Sequence, residues 1–147
     1  MKTKLVACFL LVSGVILLGI GAAILLTPSA FHASNGIVFE NDASLMSEVR
    51  APGGLLFASG LLILVGLFRH KLRHQSVILA TLVYGTFGLS RMLSMAIDGM
   101  PSKGIVGATA IELIIEALGL LILTRKAESM KFDPPTGPTP TAATATH

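Results

Sequence analysis

Four apolar runs organise the chain: residues 5–26, 52–68, 77–97 and 105–123 are nearly free of charge, and short polar stretches separate them. A helix rises about 1.5 Å per residue, so runs of this length match the roughly 30 Å hydrocarbon core of a bilayer. The pattern predicts an all-α, polytopic integral membrane protein built as a four-transmembrane-helix bundle. The first run begins after Lys2 and Lys4, as a signal peptide would. Its 22 residues exceed the about 7–15 apolar residues of a signal-peptide core, and it is read as a retained helix. Asp42 stands where it would cap an outward extension of the second helix. Pro52 would then kink that helix, or begin its membrane portion at the first turn. The domain therefore covers residues 1–126. Residues 127–147, rich in Pro, Thr and Ala, have too few apolar side chains to pack and are expected to be a disordered cytoplasmic tail.

Basic residues near the span ends set the orientation. Lys2, Lys4, Arg69, Lys71, Arg73, Arg125, Lys126 and Lys131 fall on one side of an even-spanning chain. Arg50 and Lys103 lie on the other, with Glu40, Asp42, Glu48 and Asp98. Positively charged loops remain cytoplasmic, so both termini are expected inside. The 27–51 connection and the 98–103 turn then face outward.

Composition agrees. Hydrophobic residues make up 52% of the 147 and charged residues 13%, and the mean hydropathy is +0.78. A net charge of +3 and a pI near 9.4 do not indicate nucleic acid, because the cations border apolar runs instead of alternating with aromatics. Cys8 is the only cysteine, which excludes an intrachain disulfide and a cysteine-built metal site. His70 and His74 share helical spacing, but three cations crowd them and no carboxylate or cysteine accompanies them. They read as a cytoplasmic loop touching anionic headgroups. The sequence nominates no metal, no cofactor and no pairing of a nucleophile with a base.

Arg91 is the residue out of place. It lies seven residues before Asp98, about 10 Å below the outer end of the third span. Glu112 lies eight residues after Gly104, about 12 Å below the same surface on the fourth. A lone charge at that depth costs several kcal/mol, so the two are expected to face inward and pair. Glu116 sits one turn deeper on the same face as Glu112. Glu48, Arg50 and Asp98 at the outer mouth would complete a buried polar cluster of Glu48, Arg50, Arg91, Asp98, Glu112 and Glu116. Around it Thr81, Gly85, Gly88, Met95, Ala108, Thr109 and Gly119 repeat at helical spacing. Gly85, Gly88 and Gly119, with Gly53, Gly54 and Gly60 on the second span and Gly14, Gly19 and Gly21 on the first, are expected to let the helices approach closely.

The stretches SEVRAPGGLLFASGLLIL, YGTFGLSRMLSMAIDGMPSKG and IELIIEALGLLIL resemble the bacterial family of four-helix membrane proteins catalogued as domain of unknown function 4345. Its Glu-x-Arg-x-x-Gly-Gly entry to the second helix maps to Glu48, Arg50, Gly53 and Gly54. Its Gly-x-x-Arg run ending in Asp-Gly-x-Pro maps to Gly88, Arg91, Asp98, Gly99 and Pro101, and its fourth-helix glutamate maps to Glu112. Pro52 and Glu116 depart from the pattern. The resemblance covers residues 5–125 and implies a multi-pass protein of the bacterial inner membrane, without an established activity. Two functions are compatible with it. The leading expectation is a non-enzymatic accessory or interaction subunit acting through a membrane-protein partner or a homo-oligomer. The other is a binder or carrier of a small polar or amphipathic molecule (a lipid headgroup, a quinone) or of a proton, through the buried cluster.

Overall fold

The computed structural model describes residues 2–38 and 42–131. Five α-helices follow in chain order: α1 (Lys2–Leu26), α2 (Pro28–Ser34), α3 (Ala43–Phe68), α4 (Arg73–Asp98) and α5 (Lys103–Lys131), with a single 3-10 turn, His70–Leu72, between α3 and α4. Four of them are long and apolar enough to cross a membrane. They run antiparallel in sequence as two hairpin-like pairs, α1 on α3 and α4 on α5, joined chiefly by α3 on α4. Between α1 and α5 the packing is slight.

Local chemistry accounts for the ends. Asp42 caps α3 as expected, its carboxylate accepting from the Leu45 N–H at 2.9 Å. α3 then runs unbroken through Pro52 to Phe68, instead of starting at the proline. Pro52 has no N–H, so the Glu48 carbonyl one turn earlier lacks its usual helical donor. α4 closes on Gly99, whose φ of 94° is a left-handed value that disfavours any side chain, and Pro101 follows. Helix α2 was not expected. Its signal is Thr27-Pro28: proline suits the first helical position, where no N–H partner is needed. α4 begins at Arg73, one turn before the apolar run, and α5 continues to Lys131, beyond the expected domain end at 126. Arg, Lys, Ala, Glu and Met after Leu123 are good helix formers and extend it without adding hydrophobicity. The rest of the expected tail, 132–147, lies outside the described residues.

The core is a column of Leu10, Leu17, Leu56, Ile63, Val77, Ala80 and Tyr84. Tyr84 spans from α4 to α1, its hydroxyl donating to the Ser13 carbonyl at 2.8 Å. The outside is apolar as well: Leu11 and Val15 on α1, Leu55 and Leu62 on α3, Leu82 and Leu93 on α4, and Ile114 and Leu121 on α5 are exposed. Helices greasy on both faces suit a hydrocarbon surrounding better than water.

Glycines set the helix spacing, though not all of those expected. Gly14 and Gly21 on α1 are seven residues apart, as are Gly53 and Gly60 on α3, so each pair faces its partner helix. A Cβ at position 60 would stand 2.6 Å from the Leu18 nitrogen and 2.9 Å from the Gly14 carbonyl oxygen. One at position 53 would stand 2.6 Å from Ile24 Cγ2. Gly88 meets Leu113, Gly119 meets Thr81, and Gly66, unremarked in the sequence, meets Ser76. Gly19 faces open space, and Gly54 has only Leu25 Cδ2 at 3.8 Å. Neither position requires a glycine for packing, because each falls off the α1–α3 seam.

Candidate functional site

At the end of the bundle that carries α2, the helices enclose a cavity of about 370 Å³. Five elements line it. Ile20 and Ile24 come from α1, Val49, Pro52 and Leu56 from α3, Phe87 from α4, and Ile105 and Ala108 from α5. Phe31 and His32 of α2, and Asn35 just after it, form its rim. Into this apolar wall project three charged residues: Glu48, Arg91 and Glu112.

The Arg91–Glu112 pair is the polar centre. Arg91 follows Gly88 by one turn and Glu112 faces it from the antiparallel α5. Gly88 lets α5 approach so closely that a Cβ there would lie 2.9 Å from Leu113 Cδ2 and 3.5 Å from Glu112 Cβ. Arg91 Nε stands 3.3 Å from Glu112 Oε1 and 3.2 Å from Oε2. Only Oε1 lies in line with the N–H and receives a hydrogen bond; Oε2 is buried and accepts none. The side chains keep 35% and 13% of their exposure respectively. Among the described residues, no acceptor meets the two terminal nitrogens of Arg91. The site therefore holds both a buried acceptor and a pair of charged donors beyond their mutual contact.

The other candidates divide. Glu48 is exposed yet lines the cavity mouth. Arg50 is exposed and turns away, its Nε donating to the Leu25 carbonyl at 3.2 Å. It closes the end of α1, where carbonyls lack helical donors, and does not line the cavity. Asp98 is exposed and accepts from Ser94 Oγ at 2.9 Å, one turn back on its own helix. Glu116 lies against Gly85, where a Cβ would stand 2.6 Å from Oε1, and does not line the cavity either. A single buried cluster of six residues is thus replaced by one ion pair, one rim carboxylate and three groups held elsewhere. Sequence spacing places residues by depth, but it does not say which way each side chain leans.

In the sequence His32 stands without companions and Asn35 carries no signal, because the helix that brings them to the cavity was not expected. His32 Nδ1 lies 2.8 Å from the Pro28 carbonyl, an acceptor, so that nitrogen carries the proton. Its ring meets Phe31 edge-on at 5.5 Å. Asn35 donates to the Phe31 carbonyl at 3.0 Å. Among the described residues no group of three or more His, Cys, Asp or Glu side chains is placed to hold a metal ion.

Comparison with curated proteins and with solved structures finds no similar chain. A family model matches residues 5–123, a span that contains every residue lining the cavity. The match takes in most of the sequence, and the chain belongs to the family described as Domain of unknown function (DUF4345).

Proposed function

We propose that the chain is a multi-pass protein of the bacterial inner membrane that binds a small amphipathic molecule in the α2-end cavity. The observation that carries this reading is the cavity's make-up: mostly apolar walls around a few convergent polar groups, at a volume within the usual range of ligand pockets. An ionisable pair in a membrane span is expensive and by default marks a functional site. The alternative, an accessory subunit acting by association, draws on the glycine-rich helices. Gly21, Gly53, Gly60, Gly85, Gly88 and Gly119 all meet neighbours within the chain, which leaves that reading with less to rest on.

Native mass spectrometry of protein purified in mild detergent tests the reading. A small molecule should be retained, and Arg91→Ala should lose it. Retention unchanged by Arg91→Ala would remove the cavity from consideration.

Insertion itself, with both termini cytoplasmic, is supported by the exposed apolar faces and by the basic residues gathered at the Arg69–Arg73 end. Reporter fusions at Gln75 and at the C-terminus should report the same compartment, and a fusion near Asn41 the opposite one. Opposite signals from Gln75 and the C-terminus would mean that the number of spans is wrong.

A further inference from the structure

The cavity's charges say more about the molecule it takes. We propose that the occupant is a zwitterionic amphiphile, its anionic group at Arg91, its primary ammonium between Glu112 and Glu48, and its apolar part against Ile20, Ile24, Leu56 and Phe87. This rests on the reading of the cavity as a binding site.

Three observations point there. Arg91 uses only Nε toward Glu112, so its terminal nitrogens retain the forked geometry that matches phosphate or carboxylate oxygens. Glu112 Oε2 is buried without a hydrogen bond, and a buried carboxylate oxygen left so is costly. A ligand carrying an N–H donor relieves it. Finally, the lining holds two carboxylates and one guanidinium. A purely anionic head would satisfy Arg91 while adding charge beside Glu48 and Glu112. A purely cationic one would leave the Arg91 fork empty. A head with both charges answers both ends.

Phosphoethanolamine is the plainest head with this chemistry, and it is found both on phospholipids and as a free metabolite. A quaternary trimethylammonium head has the same charges and no N–H to donate. A phosphoglycerol head has the anion and hydroxyl donors without the cation.

The test uses the full chain in mild detergent, stripped of co-purified lipid. Short-chain phosphatidylethanolamine, phosphatidylcholine, phosphatidylglycerol and free phosphoethanolamine are titrated separately, with occupancy read by native mass spectrometry. Phosphatidylethanolamine should bind at least tenfold more tightly than either other lipid. Free phosphoethanolamine binding as tightly as the lipid would support the same chemistry and assign it to a soluble source. Much weaker binding of the free molecule would support the lipid. Glu112→Gln should cost about tenfold in phosphatidylethanolamine affinity and little in phosphatidylcholine affinity. The exposed Glu48→Gln serves where Glu112→Gln does not fold, and should narrow the preference over phosphatidylglycerol. Phosphatidylglycerol or phosphatidylcholine matching phosphatidylethanolamine, with binding still lost in Arg91→Ala, would overturn the zwitterion assignment and leave the cavity as a site. No binding of any probe together with no native ligand dependent on Arg91 would overturn both.

Discussion

Replacing either Arg91 or Glu112 with leucine will destabilise the bundle in detergent, and replacing both will return part of the loss. Breaking a fully buried ion pair typically costs about 3–5 kcal/mol, because the surviving charge is stranded in low dielectric. Here the two ends differ. Glu112 keeps 13% exposure and Arg91 35%, so an orphaned arginine can turn its long side chain toward the cavity mouth. Arg91→Leu should therefore be the worse single change, and Glu112→Leu should fall short of the range for a fully buried pair. The coupling between them should be about 0.5–3 kcal/mol, the range for groups in direct contact. Strictly additive losses would show that the pair contributes nothing as a pair. The same variants separate scaffold from site. A double variant whose stability recovers should still lose its retained small molecule, since neither the guanidinium nor the carboxylate remains to hold it. Recovery of both would make the charges structural.

The second large effect lies in the α1–α3 seam. Gly21→Ala and Gly60→Ala should each cost about 1–3 kcal/mol, the usual range for overpacking a tight interior. A Cβ at position 21 would meet the Phe57 backbone nitrogen and stand 2.7 Å from its Cα and 2.8 Å from the Gly53 carbonyl oxygen. At position 60 the nearest atoms are likewise backbone, from Leu18 and Gly14. Backbone cannot rotate aside, so the helices must separate. Gly85→Ala should be milder, because the atoms it meets are the flexible end of Glu116. Gly19→Ala should be neutral or stabilising by up to about 1 kcal/mol, as it gains helix propensity and meets nothing within 4 Å. Thermal unfolding of the four variants in one detergent checks the order. Equal losses at Gly19 and Gly60 would show that glycine content and not close approach governs stability.

Of the two seam variants, Gly60→Ala is the one set apart from the cavity, because Gly21 lies between the lining residues Ile20 and Ile24. Gly14 and Gly60 meet where α1 and α3 are pressed together, one to two turns from the cavity along the bundle. The Arg91–Glu112 pair bridges the other hairpin, α4 on α5. Between the pairs Tyr84 reaches across from α4 to the Ser13 carbonyl on α1.

How much of this could be read from the residues alone follows from what each feature depends on. The four long helices were legible because length and hydropathy are properties of contiguous residues, and no partner is needed to compute them. The Asp42 cap was equally local, as was the shared depth of Arg91 and Glu112, since helical rise is fixed. The short turn between α4 and α5 forces those helices together, which made the pairing foreseeable. What the residues did not reveal depends on rotation and on distant neighbours. Arg50, Asp98 and Glu116 sit at suitable depths, yet Arg50 finds the end of α1, Asp98 finds Ser94, and Glu116 lies against Gly85. A charged side chain takes the nearest group that satisfies it, and that choice is settled by helix rotation. The seven-residue spacing of Gly14 with Gly21 and of Gly53 with Gly60 was present in the sequence, but which face meets which was not. Helix α2 carries His32, and Asn35 at its end, to the cavity rim, and at seven residues it is too short to hold itself together without packing. The sequence by itself determined the four long helices, the Asp42 cap and the level of the ion pair. The cavity exists only because four helices and a fifth, short one converge on it, and that convergence is a property of the packed chain.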